Sequence, residues 1–192
     1  MELKRVVVTG LGAITPLGND PTTYWNNLIQ GVSGAAPITR FDASKFKTRF
    51  ACEVKGFVAE DFLPRRDARR MDLFTQYALV SAKQALDDAG IVAESRVGEE
   101  GSEEATANAG KTVIDPDRAG VIWGSGVGGF KSFMDEAKNF YGGDGTPRFS
   151  PFFIPMMIPD IAAGHISIKN GFRGPNYATV SACASSTHAL ID

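Results

Sequence analysis

Histidine and cysteine are scarce in this chain of 192 residues, with two of each. Two cysteines far apart in sequence, Cys52 and Cys183, give no disulfide framework. Adding His165 and His188 still yields no spacing suited to zinc, so no metal site is expected. A large excess of one sign of charge is missing too: 20 Lys and Arg against 22 Asp and Glu give a formal net charge of −2. That excludes bulk electrostatic attraction, so neither a nucleic acid nor a membrane surface is an expected partner. No apolar run approaches membrane-spanning length. Met1-Glu-Leu-Lys-Arg5 leads straight into strand-like sequence, so no signal peptide is expected. A reducing cytoplasm is the expected setting, and it would keep both thiols free. What is present, 43% hydrophobic and 22% charged residues, is the composition of a soluble globular protein. The length suits one ordinary domain or half of a larger one.

Strand-like and helix-like segments alternate. Arg5 to Val8 with Thr9 is a β-branched run ending at Gly10-Leu-Gly12, which predicts a first, buried strand. Asp20-Pro21 supplies an N-cap and a proline at the first helical position, and Gly31 closes that helix. Arg49 to Val58 alternates well enough for a strand or two, with Cys52 packed inside. Asp72 to Ala89 is the clearest helix, capped by Asp72 and stopped by Gly90. Residues 91–118 are rich in glutamate, glycine and serine, which predicts a solvated, mobile loop with a flexible acidic insert at about 94–112. Ala119 to Trp123 predicts another buried strand and Phe130 to Phe140 a helix. Tyr141 to Pro147 reads as a turn and Phe149 to Pro155 as an aromatic, proline-bounded loop. Pro159 opens a helix through Ile168, closed by Gly171, whose Ala162-Ala163-Gly164 permits close packing. The alternation argues an α/β fold with a largely parallel, buried sheet.

Cys183 ends a last β-prone run, Tyr177 to Val180. Small and hydroxylated residues follow it, then helix-like Ala189-Leu190-Ile191. Strand, reactive residue, helix start is the order of a nucleophile elbow. A helix N-terminus favours negative charge, which suits a sulfur nucleophile and the oxyanion that its attack creates. Simple packing is the competing role, since free cysteine is commonly buried.

Two further patterns each admit two roles. Gly124, Gly126 and Gly129 fit the dinucleotide fingerprint G-x-G-x-x-G after a strand. The acidic residue wanted about 20 positions later is missing, since that region is Arg148-Phe-Ser-Pro-Phe-Phe153. The first loop has Thr15 where a third glycine should stand. The glycines then serve instead to let the backbone approach a substrate chain or the cysteine loop. Arg66, Arg69 and Arg70 are spaced to share one side of a helical turn. In a net-acidic protein they are a solvated face or a docking point for an acidic or phosphate-bearing partner.

Taken in order, seven motifs resemble the β-ketoacyl-[acyl-carrier-protein] synthases, closest to the synthase II type. They are Lys4-Arg-Val-Val-Val-Thr-Gly-Leu-Gly12 with Thr15-Pro-Leu-Gly18, Arg70-Met-Asp-Leu-Phe-Thr-Gln-Tyr77, Trp123-Gly-Ser-Gly-Val-Gly-Gly129, Ser150-Pro-Phe-Phe-Ile-Pro155, Ala163-Gly-His-Ile-Ser-Ile168, Gly171-Phe-Arg-Gly-Pro175 and Ser181-Ala-Cys-Ala-Ser-Ser186. The resemblance covers nearly the whole chain, and the acidic insert departs from it. It implies a thiolase-like fold, with αβαβα layers in the complete enzyme. This chain would be the first α/β half, and the complete enzyme a homodimer.

The resemblance also implies an acyltransferase of fatty acid elongation. Cys183 would be the nucleophile and, through its backbone N–H, one oxyanion donor. Acyl carrier protein would be the partner, delivering acyl groups on its phosphopantetheine, with no cofactor of the enzyme's own. Val127 and Phe130 would line or border the acyl channel, and Phe153 would lie near its end and the dimer contact. Arg66, Arg69 and Arg70, with Arg148 added, would meet the carrier protein. The family's catalytic histidines match no residue here. His188, five residues after Cys183, would sit about 140° around the helix from it, and His165 reads as structural. The truncated chain is expected to be inactive alone. Two alternatives come from other classes: a non-catalytic chain-length-factor-like subunit and a dinucleotide-binding oxidoreductase.

Overall fold

The computed structural model describes residues 5–96, 98 and 102–192. They form two compact units. One comprises the chain up to Val58 with Val80–Ala89, the other Ala59–Leu79 with Gly90–Asp192.

In the first unit the opening run is not a strand. Residues 5–8 pair with nothing among the described residues, and Val6, Val7 and Val8 are 89%, 59% and 80% exposed. Their β-propensity is real, but a strand exists only where a neighbour takes up its N–H and C=O groups. The following Gly10-Leu-Gly12 is firmly placed against the helix over residues 80–89. The Leu11 and Ala13 amides donate to Asp88 Oδ2 and Gln84 Oε1, both at 2.9 Å. A Cβ on Gly12 would lie 1.8 Å from the Ser81 carbonyl oxygen, and one on Gly10 2.1 Å from that of Ala85. These glycines therefore exist for backbone-to-helix contact. Helix α1 (Pro21–Ile29) follows as expected: the Asp20 carboxylate accepts from the Thr23 amide, and proline stands in the first turn. That bond holds the Asp20 carboxyl below the ordinary aspartate range. Gly31 ends the helix at φ +68°. Strands β1 (Ala36–Pro37) and β2 (Phe50–Ala51) make a short antiparallel pair. Cys52, expected to pack, is exposed beside it, because pairing ends at Ala51 and the alternation that would turn Cys52 inward is not continued as strand.

The second unit holds the parallel sheet pieces. Helix α2 (Arg65–Ala68) is a single turn. Helix α3 (Leu73–Ala89) begins here and continues into the first unit, and Gly90 stops it at φ +62°. The segment expected as a mobile loop is organised instead. Strand β3 (Ile91–Ala93) pairs in parallel with β4 (Thr112–Ile114), and helix α4 (Glu103–Ala107) lies between them, capped by the Ser102 hydroxyl. Arg96 donates to the Ile168 carbonyl at 2.6 Å and Asn108 to that of Arg96 at 2.8 Å. The expected insert includes residues 97 and 99–101, which lie outside the described residues. Its described acids, Glu94, Glu103 and Glu104, are exposed, as a solvated segment requires.

Strand β5 (Val121–Gly124) pairs in parallel with β6 (Asn176–Thr179). Between them run α5 (Phe130–Gly142), α6 (Phe153–Met157) and α7 (Ile161–Asn170). Helix α6 falls in the stretch expected to be a loop. Pro155 sits at its third position, where the amide it lacks would have no intrahelical partner. Ala162 and Ala163 of α7 are fully buried, and Asn176 Nδ2 donates to the Ala163 carbonyl at 2.9 Å. The small residues thus let α7 lie close to β6. Of this pair only Val121 is buried, Asn176 and Tyr177 are exposed, and the other strand residues are part-buried, so the expected buried sheet is only partly realised. Helix α8 (Ser185–Ile191) closes the described chain. No helix among the described residues is long and apolar enough to cross a membrane.

Candidate active site

The turn after β6 carries the thiol. Past Thr179 the backbone enters a 3-10 turn over Ala182–Ala184 and then α8. Ala182 adopts φ +51°, the only left-handed non-glycine residue described. A Cβ in that region is strained by roughly 1–2 kcal/mol. The turn is held by Ser185, which is 3% exposed. Its hydroxyl donates to the Ala182 carbonyl at 2.7 Å and accepts from the Ser181 amide at 2.9 Å. Thr179 Oγ1 donates to the Ser185 carbonyl at 2.8 Å. Cys183 stands at the crest with its side chain exposed. Its amide meets no acceptor among the described residues. It is therefore a donor available to an oxygen placed beside the sulfur.

His188 is engaged by the turn itself. Its Nδ1 lies 2.6 Å from Ser181 Oγ, which makes it a brace of the turn, and because Cys183 lies in the 3-10 turn before α8 the two share no helix. His165 is half-buried in α7, and burial pushes its imidazole below the ordinary value, opposed by the Asp67 charge. It lines a cavity of about 660 Å³ with Arg70 and Phe152.

The glycine loop after β5 lies under this turn. A Cβ on Gly124 would come 2.6 Å from the Ser186 nitrogen and Cα. One on Gly129 would lie 2.0 Å from the Met156 carbonyl oxygen, and one on Gly128 2.4 Å from that of Met157. Neighbouring backbone thus comes close at these glycines, which is the close-approach role expected of them. Val127 is exposed at the tip of the loop.

Phe130 and Phe153 are joined through a third ring that the sequence reading missed. Phe133 stacks on both, at centroid distances of 6.5 and 6.4 Å. Phe149 and Phe140 extend the line at 5.9 and 5.5 Å. The spacing of Phe130, Phe133 and Phe140 along one helix was the available signal. Asp72, 6% exposed, was expected as the cap of α3, but its second contact was not. Its Oδ2 accepts from the Ser132 amide and hydroxyl at 2.8 and 2.7 Å, and its Oδ1 lies 3.4 Å from the Phe74 amide. One carboxylate therefore caps two helix N-termini, α3 and α5, and the second of these has no cap of its own.

The arginines are exposed, but not as one helical face. Arg66 is in α2, while Arg69 and Arg70 follow it in a turn. Arg70 lies over the Phe152 ring, 4.6 Å from its centroid, four residues beyond exposed Arg148.

Known proteins match this arrangement. Residues 3–192 match the family described as beta-ketoacyl synthase, N-terminal domain. The chain is 44% identical over 187 residues to 3-oxoacyl-[acyl-carrier-protein] synthase 2 of Staphylococcus aureus strain COL, spanning 97% of this chain and 41% of that protein. It is 43% identical over 192 residues to the protein of the same description from Synechocystis, spanning all of this chain and 42% of that one. It therefore covers about two-fifths of these relatives. A β-ketoacyl synthase from Burkholderia phymatum superposes with a TM-score of 0.71 at 26% identity, covering 98% of this chain and 42% of that one. A structure described as a type II PKS acyl-carrier protein in complex with its ketosynthase, bound to the hexaketide, superposes with a TM-score of 0.70 at 25% identity. It covers 98% of this chain and 45% of that chain. The fold is thus the thiolase-like α/β fold of ketosynthases, and the chain belongs to the β-ketoacyl synthase N-terminal domain family.

Proposed function

We propose that this chain is the nucleophile-bearing half of a β-ketoacyl-acyl carrier protein synthase acting in fatty acid elongation. The observation that carries the reading is Cys183: an exposed thiol raised on a left-handed turn after a parallel strand, with its own amide unengaged. The sulfur attacks the thioester carbonyl of an acyl chain held on the phosphopantetheine of acyl carrier protein. A C–S bond forms to Cys183 as the carrier's C–S bond breaks, and the phosphopantetheine leaves as a thiol with the proton Cys183 gives up. The Cys183 N–H stabilises the oxyanion formed on the way. In the second half, malonyl carrier protein loses CO₂. The electron pair left on its α-carbon attacks the Cys183 thioester, and the Cys183 thiolate departs. Splitting the transfer in two gives ping-pong kinetics. No residue of this chain is assigned to the decarboxylation.

In this reading Val127, Phe130 and Phe153 line the acyl channel, and the ring stack through Phe133 supports an apolar chain. Arg66, Arg69, Arg70 and Arg148 meet the acidic carrier protein. The acyl group needs no cofactor beyond the carrier's own phosphopantetheine, the working protein is a homodimer, and its setting is the cytoplasm. The exposed thiol favours catalysis over a chain-length-factor-like subunit. The test is peptide-resolved alkylation and acylation. Both cysteines are exposed, so accessibility alone predicts equal labelling, whereas a nucleophile predicts that iodoacetamide and acyl carrier thioester mark Cys183 first. Preferential reaction at Cys52, or acyl transfer surviving Cys183→Ala, would overturn the assignment.

A further inference from the structure

We infer that Ser185 is a positioning residue for the nucleophile, holding the strained turn that presents Cys183. This rests on the assignment of Cys183 as the acyl acceptor. Ala182 is the one described non-glycine residue with left-handed backbone, a conformation that persists only where its surroundings enforce it. Ser185 supplies the enforcement from two sides. Its hydroxyl donates to the carbonyl of Ala182 itself and accepts from the amide of Ser181, the residue before it. The hydroxyl is buried, so water does not compete for either bond. The Ser185 main chain is fixed in turn by Thr179 of β6, and a glycine, Gly124, leaves room for the start of α8 beside β5. These contacts join strand, turn and helix around a single hydroxyl. Without it, Ala182 has reason to relax to negative φ. That rotation turns the peptide joining Ala182 to Cys183, whose N–H is the oxyanion donor.

Two consequences separate this role from general packing. Acylation needs the oxyanion donor, whereas alkylation by iodoacetamide does not, so loss of Ser185 affects the first more than the second. Glycine at position 182 accepts left-handed backbone without strain, so it makes the Ser185 hydroxyl less necessary.

The experiment uses the protein containing this chain, with an acyl-N-acetylcysteamine thioester and iodoacetamide as probes, read by mass spectrometry on the Cys183 peptide. Ser185→Ala is expected to slow acylation about tenfold and alkylation less than threefold. In an Ala182→Gly background the same substitution should slow acylation less than threefold. Equal acylation by wild type and Ser185→Ala overturns the inference, as does an equal slowing in both backgrounds or of both reactions. Should Ser185→Ala fail to fold, Ser185→Cys, whose S–H is a weaker donor, takes its place with the same outcomes. Acylation surviving Cys183→Ala sinks the parent assignment instead, so the two failures are distinct.

Discussion

Residues 5–12 and 121–126 are close counterparts in kind. Each is a β-prone run followed by Gly-x-Gly: Val6-Val-Val8 before Gly10-Leu-Gly12, and Val121-Ile-Trp123 before Gly124-Ser-Gly126. Gly10, Gly12 and Gly124 have related jobs, admitting a helix backbone where a Cβ would collide: Ser81 and Ala85 in the first case, Ser186 in the second. Their strands part company. β5 pairs with β6 along four residues and buries Val121, while Val6–Val8 find no ladder among the described residues and stay exposed. Close helix approach is thus settled locally by an absent side chain. Strand formation is settled by whether another segment supplies hydrogen bonds, and the run of residues does not encode that.

The largest effect tests what the two loops share. Gly124→Ala places a methyl 2.6 Å from the backbone of Ser186, so the start of α8 must move and carry the Cys183 turn with it. Misplacement near 1 Å costs about a hundredfold in rate. Acyl transfer to Cys183, measured by single-turnover labelling, should fall by about that factor. Gly126→Ala is the contrast, since a Cβ there lies 3.6 Å from the Ala182 oxygen, an ordinary contact, and transfer should stay within about threefold of wild type. Equal losses at both positions would show that glycine flexibility matters here and close approach does not.

This contrast also explains what was legible. The ends of α1 and α3 were readable because Asp20, Pro21, Gly31 and Gly90 act within a few residues of themselves. The elbow was readable for the same reason: β6, Cys183 and α8 are contiguous. The pairing of β3 with β4 joins Ile91 to Thr112, and a composition rich in glutamate and glycine conceals it. Asp72 was readable as the cap of α3 but not as the cap of α5, because Ser132 lies 60 residues away. The ring stack through Phe133 was half-legible, its α5 members by spacing and Phe149 and Phe153 only by the fold.

Asp72 provides the intermediate effect, at the opening of the helix that follows the β5 glycine loop. Asp72→Ala leaves the Ser132 amide and hydroxyl and the Phe74 amide without the carboxylate. Losing two caps and stranding part-buried donors should cost about 2–4 kcal/mol, read by urea denaturation. Asp72→Asn, which keeps an acceptor, should cost less. A loss below about 1 kcal/mol for the alanine variant would mean that the glycine loop holds α5 without help.

The smallest effect addresses the divergence itself. Val→Thr keeps the shape of the side chain and adds a hydroxyl. In β5, Val121→Thr buries that hydroxyl and should cost about 1–3 kcal/mol. In the opening run, Val7→Thr leaves it in water, because Val7 is 59% exposed, and should change stability by no more than about 0.5 kcal/mol. Denaturation of the chain and of the longest protein that contains it distinguishes two reasons for that small number. If the cost stays near zero in both, the run is a surface segment and its β-branched residues carry no ladder. If it rises above about 1 kcal/mol only in the longer protein, a strand from outside these residues completes the run as β6 completes β5. The two counterparts would then differ in where the partner comes from rather than in what they are.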